Sequence, residues 1–139
     1  MKKTTTSHII ALALIVLSTL MIVSSALAGS SYVTSTQPKY KTYSISSSPT
    51  YGILAYGNSG DKLIVELALN DLEKPNSDGT PNWKLSKTIT ITIGSTGVGF
   101  GSISPGSAFH FVPDRSDKAR LKFKGHPSNT NGVTVSYPD

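Results

Sequence analysis

Beyond residue 28, apolar and polar residues alternate with a period of two, and no stretch there sustains apolar spacing at three and four residues. In KLIVELAL, residues 62–69, Leu63, Val65, Leu67 and Leu69 fall on one face and Ile64, Glu66 and Ala68 on the other. TITITI, residues 88–93, sets Ile89, Ile91 and Ile93 against three threonines. In KARLKFKGH, residues 118–126, Ala119, Leu121 and Phe123 alternate with Lys118, Arg120, Lys122 and Lys124. A helix would scatter such residues around its axis, whereas a strand collects them on one side. Each segment is therefore expected to be a strand with one buried and one wet face, which makes this an all-β chain.

Weaker alternation places further strands near 40–46, 51–56, 98–103, 107–112 and 133–137. Turn-forming residues separate them: Gly57 to Gly60, Pro75 to Gly79, Gly94 to Gly97, and Asn131-Gly132. About eight short strands at this spacing predict a single antiparallel β-sandwich or jelly roll over residues 40–139. The chain has no cysteine, so its core must hold the fold without a disulfide. Residues 29–39, rich in Ser and Thr and poor in aliphatics, are expected to be a flexible arm.

Residues 1–28 have the order of a secretory signal peptide: Lys2 and Lys3, an apolar run from Ile9 to Val23, and small residues at Ala26 and Ala28. The run is short for a membrane span, which takes about 20 residues. Cleavage after Ala28 is expected, with the mature chain secreted, either free or wall-associated, and of bacterial type.

Charge and motif exclude several functions. The formal charge of +5 includes the two leader lysines, and what remains is a mild excess, weaker than a nucleic-acid binder needs. The glycines of TGVGFGS, 96–102, follow G-x-G-x-G and are succeeded by Ile103, Ser104 and Pro105 rather than a helix start, so they read as a glycine-eased strand and no nucleotide cofactor is expected. The segment NDLEKPNSDG, 70–79, gathers oxygen side chains, but the helical-hand calcium pattern fails, with Lys74 and Leu85 where carboxylates belong. It reads as a polar turn, with a looser calcium site left open. No G-x-S-x-G occurs, and His110 and His126 have no local catalytic or metal-ligand spacing, so no catalytic or metal residue is assigned.

Two residue sets are candidates for binding. Lys118, Arg120, Lys122 and Lys124 would stand roughly 6.5 Å apart along one face of their strand. Such a face is either a solvated surface that discourages edge pairing or a ladder for an anionic polymer, the first being the simpler account. Five of the six tyrosines lie before residue 57, and of these Tyr40, Tyr43, Tyr51 and Tyr56 are candidates for stacking on sugar rings, although half-buried strand positions explain them as well. Trp83 shares parity with Leu85 and is expected at the core or its margin.

The tail SAFHFVPDRSDKARLKFKGHPSNTNGVTVSY, 107–137, resembles the closing strands of small exported bacterial β-sandwich modules, among them prepeptidase C-terminal-like jelly rolls. That resemblance implies architecture and export, and carries no catalytic residue over. Taken together, the residues point to a secreted, non-enzymatic binding or structural module at the cell wall or outside the cell, engaging an anionic or carbohydrate polymer. A membrane-active protein and a homo-oligomeric surface protein are the alternatives.

Overall fold

The computed structural model describes residues 29–45, 49–105 and 118–139; the expected signal peptide, the expected strand at 107–112 and His110 lie outside the described residues. Among the described residues the chain forms eight strands: β1 (Gly29–Val33), β2 (Lys39–Ser44), β3 (Tyr51–Tyr56), β4 (Lys62–Asn70), β5 (Trp83–Thr92), β6 (Val98–Ile103), β7 (Lys118–Gly125) and β8 (Val133–Tyr137). They assemble into two four-stranded antiparallel sheets, a back sheet in the order β1-β8-β3-β6 and a front sheet in the order β2-β7-β4-β5. Apart from the β4–β5 hairpin, successive strands alternate between the sheets in a jelly-roll path.

The period-two pattern explains why the sheets close on one another. Leu63, Val65, Leu67 and Leu69 of β4, and Ala119, Leu121 and Phe123 of β7, are fully buried, facing Ile53 and Ala55 of β3 and Val133 and Val135 of β8. Burial of a side chain such as Leu121 or Phe123 contributes about 1.5–3 kcal/mol, and a core of this kind suffices without cross-links. On β6, Gly99 and Gly101 face inward, and a Cβ at Gly99 would sit 2.7 Å from the Thr92 carbonyl oxygen. The glycine series of 96–102 is thus a strand allowed to pass close to β5. Gly97, at φ 79°, closes the turn into that strand, its N–H donating to Gly94.

Two departures from the sequence-based expectation have clear causes. Gly29–Val33, expected within a flexible arm, forms β1 and pairs along its whole length with β8, with Val33 fully buried. A five-residue strand holding one aliphatic side chain gives little periodic signal, and its partner lies at the far end of the chain. The second departure is in β5, which begins at Trp83 rather than near 88. A register shift opposite Leu67 and Ala68 leaves Ser86 as an extra residue, so Leu67 pairs with Lys87 and Ala68 with Leu85. The bulge reverses the alternation. Ile89 and Ile91 face the core, while Trp83 and Leu85, of the same parity in sequence, share the outer face with Thr88 and Thr90.

Candidate functional site

The outer face of the front sheet carries the densest collection of chemically distinctive side chains. Register fixes its rows: Tyr40, Lys122, Glu66 and Thr88 lie across the four strands in one row, and Thr42, Arg120, Ala68 and Leu85 in the next. Lys124 stands beside Ile64 and Lys118 beside Ser44, so all four predicted cations do share one outward face. They are not equivalent, however. The Lys122 ammonium pairs with Glu66 at 2.9 Å, and that charged hydrogen bond is the main cause of its raised pKa. The Arg120 guanidinium carbon lies over two rings, 4.6 Å from the centroid of Trp83 and 5.1 Å from that of Tyr40.

Between these groups runs a shallow groove of about 150 Å³, lined by Glu66, Ala68, Trp83, Leu85, Arg120 and Lys122. Ala68 supplies the floor because its side chain is too small to fill the space between Trp83 and the β7 cations. Leu85 is 58% exposed and Tyr40 54%, so apolar surface flanks the groove on both sides. The bulge therefore creates the site, since a regular strand would have turned Trp83 toward the core.

The remaining tyrosines separate. Tyr56 is exposed on the outer face of the back sheet, whereas Tyr43 and Tyr51 turn inward and pack ring against ring, tilted by 30° at 4.7 Å between centroids, in the seam between the sheets. The Tyr43 hydroxyl donates to the Pro138 carbonyl at 2.7 Å, and the Tyr51 hydroxyl is buried without a partner among the described residues. Burial pushes the Tyr51 phenol up to about 12 and raises Tyr43 further, with the neighbouring tyrosines and Asp139 adding to the shift at Tyr43. Neither ring offers a free face, so the expected stacking role is withdrawn from both. Of the four candidates, only Tyr40 joins the cations.

The polar turn after β4 closes on itself. Asp71 accepts from the Glu73 N–H, and Asp78 accepts from both the N–H and the hydroxyl of Thr80, which holds its carboxyl below the usual range. Among the described residues no group of three or more His, Asp or Glu side chains converges on a metal-sized space. His126 lies in the loop after β7, its Nδ1 engaged by the N–H and hydroxyl of Ser128.

No family model and no curated protein sequence matches the chain. Among solved structures it is similar to a family 28 carbohydrate-binding module described as specific for non-crystalline cellulose, with a TM-score of 0.48 and 12% identity over 73% of this chain. The chain spans 64% of that module's length. It is also similar to part of an endo-1,4-β-D-xylanase of Clostridium thermocellum, solved with xylohexaose, at a TM-score of 0.42 and 8% identity, covering 77% of this chain and 20% of that one. A protein from Sulfurospirillum deleyianum matches 79% of this chain and 95% of its own length, at a TM-score of 0.42 and 10% identity. The jelly-roll assignment rests on the chain's own strand order.

Proposed function

We propose that the protein is a non-enzymatic module that holds an extended polysaccharide across the outer face of the front sheet. The observation that carries this is the groove over Ala68, walled on one side by Trp83 and Leu85 and on the other by Arg120 and Lys122, with Tyr40 beyond. Its volume of about 150 Å³ lies below the roughly 300–1,000 Å³ of sites that enclose a small ligand. A polymer chain crossing an open face fits such a groove, each unit taking part of its contacts there. Aromatic and aliphatic edges suit the C–H faces of sugar rings, and the flanking charged groups supply donors and an acceptor for hydroxyls. All of these groups project from paired strands, so little order is lost on binding. An extracellular or wall-associated location accords with a polysaccharide ligand and with the leader pattern of residues 1–28, and intact mass of protein recovered from culture medium tests it.

Binding to a panel of soluble polysaccharides, measured by calorimetry, tests the proposal directly. Trp83→Ala should lose affinity about tenfold or more for whichever polymer binds. Retention of full affinity by this variant would move the site elsewhere.

A second reading, self-association as a surface protein, is favoured by one observation. The outer face of the back sheet exposes Tyr32, Tyr56, Val98 and Phe100 together. Light scattering of the mature domain over a range of concentrations distinguishes it.

A further inference from the structure

The four cations of β7 differ in what they have left to offer a ligand. Lys122 is already neutralised by Glu66. Arg120 has its guanidinium carbon over both the Trp83 and the Tyr40 rings, and among the described residues no carboxylate lies within ion-pair distance of it. A guanidinium is planar, and its N–H donors all point outward in that plane. With its carbon held over two aromatic rings and no carboxylate partner, the donor edge is what Arg120 has left to offer, and the residue borders the groove. Water can solvate such an edge, but the group that matches it in shape and charge is an oxyanion accepting two parallel N–H bonds.

We propose that Arg120 is an oxyanion receptor and that the polysaccharide bound on the front sheet is an acidic one, a uronate-bearing chain whose carboxylate meets the in-plane edge of Arg120. This rests on the front-sheet polysaccharide reading and narrows it to a ligand class. Lys124, on the same strand face, adds a positive field beside the groove. Glu66 acts in the opposite sense. It holds Lys122 away from the ligand, and its charge, screened by that ion pair, sets a limit on affinity. The role of the aromatic rings is twofold: Trp83 and Tyr40 orient the guanidinium, and the edge of Trp83 contributes to the groove itself.

The experiment compares polygalacturonate with its fully methyl-esterified form, which keeps the backbone and removes the charge, alongside neutral xylan and poly(glycerol phosphate). Polygalacturonate should bind about tenfold tighter than its ester, and the difference should shrink as salt rises. Arg120→Lys, which keeps the charge and loses the fork, should cost about tenfold toward polygalacturonate and distinctly less toward the ester, so that the preference for the acid shrinks, with the melting temperature close to that of the parent. Glu66→Gln should tighten acid binding by releasing Lys122, a gain that a purely structural role for the ion pair would not produce. Equal binding of acid and ester, or an Arg120→Lys variant that binds acid like the parent, would overturn the inference and leave the polysaccharide reading intact. A preference for poly(glycerol phosphate) over every sugar chain would overturn both, as would binding to none of the four polymers.

Discussion

The two outer faces of this sandwich are built by the same alternation and end with opposite chemistry. On the front sheet, cations, an acid and two aromatic rings interlock around a groove. On the back sheet, the outward residues are Ser30, Tyr32, Gly52, Leu54, Tyr56, Val98, Phe100, Ser102, Thr134 and Ser136, with no charged side chain among them. Phe100 is 63% exposed, lying next to Leu54 across one strand pair and leaning over Gly52. Alternation thus dictates that a wet face exists and leaves its content free. The front face is preorganised by contacts among its own side chains, whereas the back face presents adjoining apolar groups, Tyr56 beside Val98 and Leu54 beside Phe100, bordered by small hydroxyls.

The largest expected effect tests whether the two faces share one core. Val65→Asp should unfold the domain, because an unpaired buried carboxylate costs several kcal/mol where Val65 is fully buried. Glu66→Ser, one residue along on the outer face, should cost under about 1 kcal/mol by thermal melting, since the Lys122 ion pair is partly exposed. Equal losses would mean that the front sheet is not one-sided.

Next in size is the difference between the faces in binding. Trp83→Ala should abolish most polysaccharide affinity, while Phe100→Ala on the back sheet should leave it unchanged, both read by calorimetry on the same polymer. If Phe100→Ala weakens binding as much as Trp83→Ala, the functional assignment of the faces is reversed.

A smaller effect concerns the seam that joins them. Tyr51→Phe removes a buried hydroxyl that has no partner among the described residues and should raise stability by about 1 kcal/mol at neutral pH. The same residue sets an alkaline limit. Its phenol titrates near 12 in the fold against about 10 in the unfolded chain, so between these values the native state holds a proton that the unfolded state has lost. Stability should therefore be intact below pH 10 and fall as pH rises toward 12, with Tyr43 acting in the same sense. Denaturant titrations at pH 9 and pH 11.5 would show the loss in the parent and a smaller loss in Tyr51→Phe. The least effect is expected of Lys124→Gln, at the far end of the cation row: a shallower salt dependence of binding, with no change in melting temperature.

Much of this architecture is legible in the sequence, and the places where it is not share a physical origin. The inward residues of β4 and β7 follow directly from period two, because burial rewards one parity along an unbroken strand. Trp83 escapes that logic. No glycine in WKLSKTITIT marks Ser86 as the bulged residue, so counting by twos from Ile89 sends Trp83 to the wrong side. The signal that could have found it is the polar Lys84-Leu85-Ser86-Lys87 run, in which an aliphatic stands among polar residues. Tyr43 is a different case, since its parity is opposite to that of Tyr40 and already separates the two. The identities of the strand partners are the least legible feature, because period two says which side a residue faces and nothing about which strand lies beside it.

The order of strands has a kinetic consequence. The pairs β4 with β5, β3 with β6, β2 with β7 and β1 with β8 are nested one inside the next. Only the innermost pair must be found by closing a free loop, that of residues 71–82. Once it forms, the short connections at 57–61 and 93–97 deliver β3 and β6 to one another, and each outer pair then inherits its meeting place from the pair within. The chain gathers outward from its middle like a drawn purse string, so that the distant meeting of β1 and β8 costs far less search time than their separation of about a hundred residues suggests.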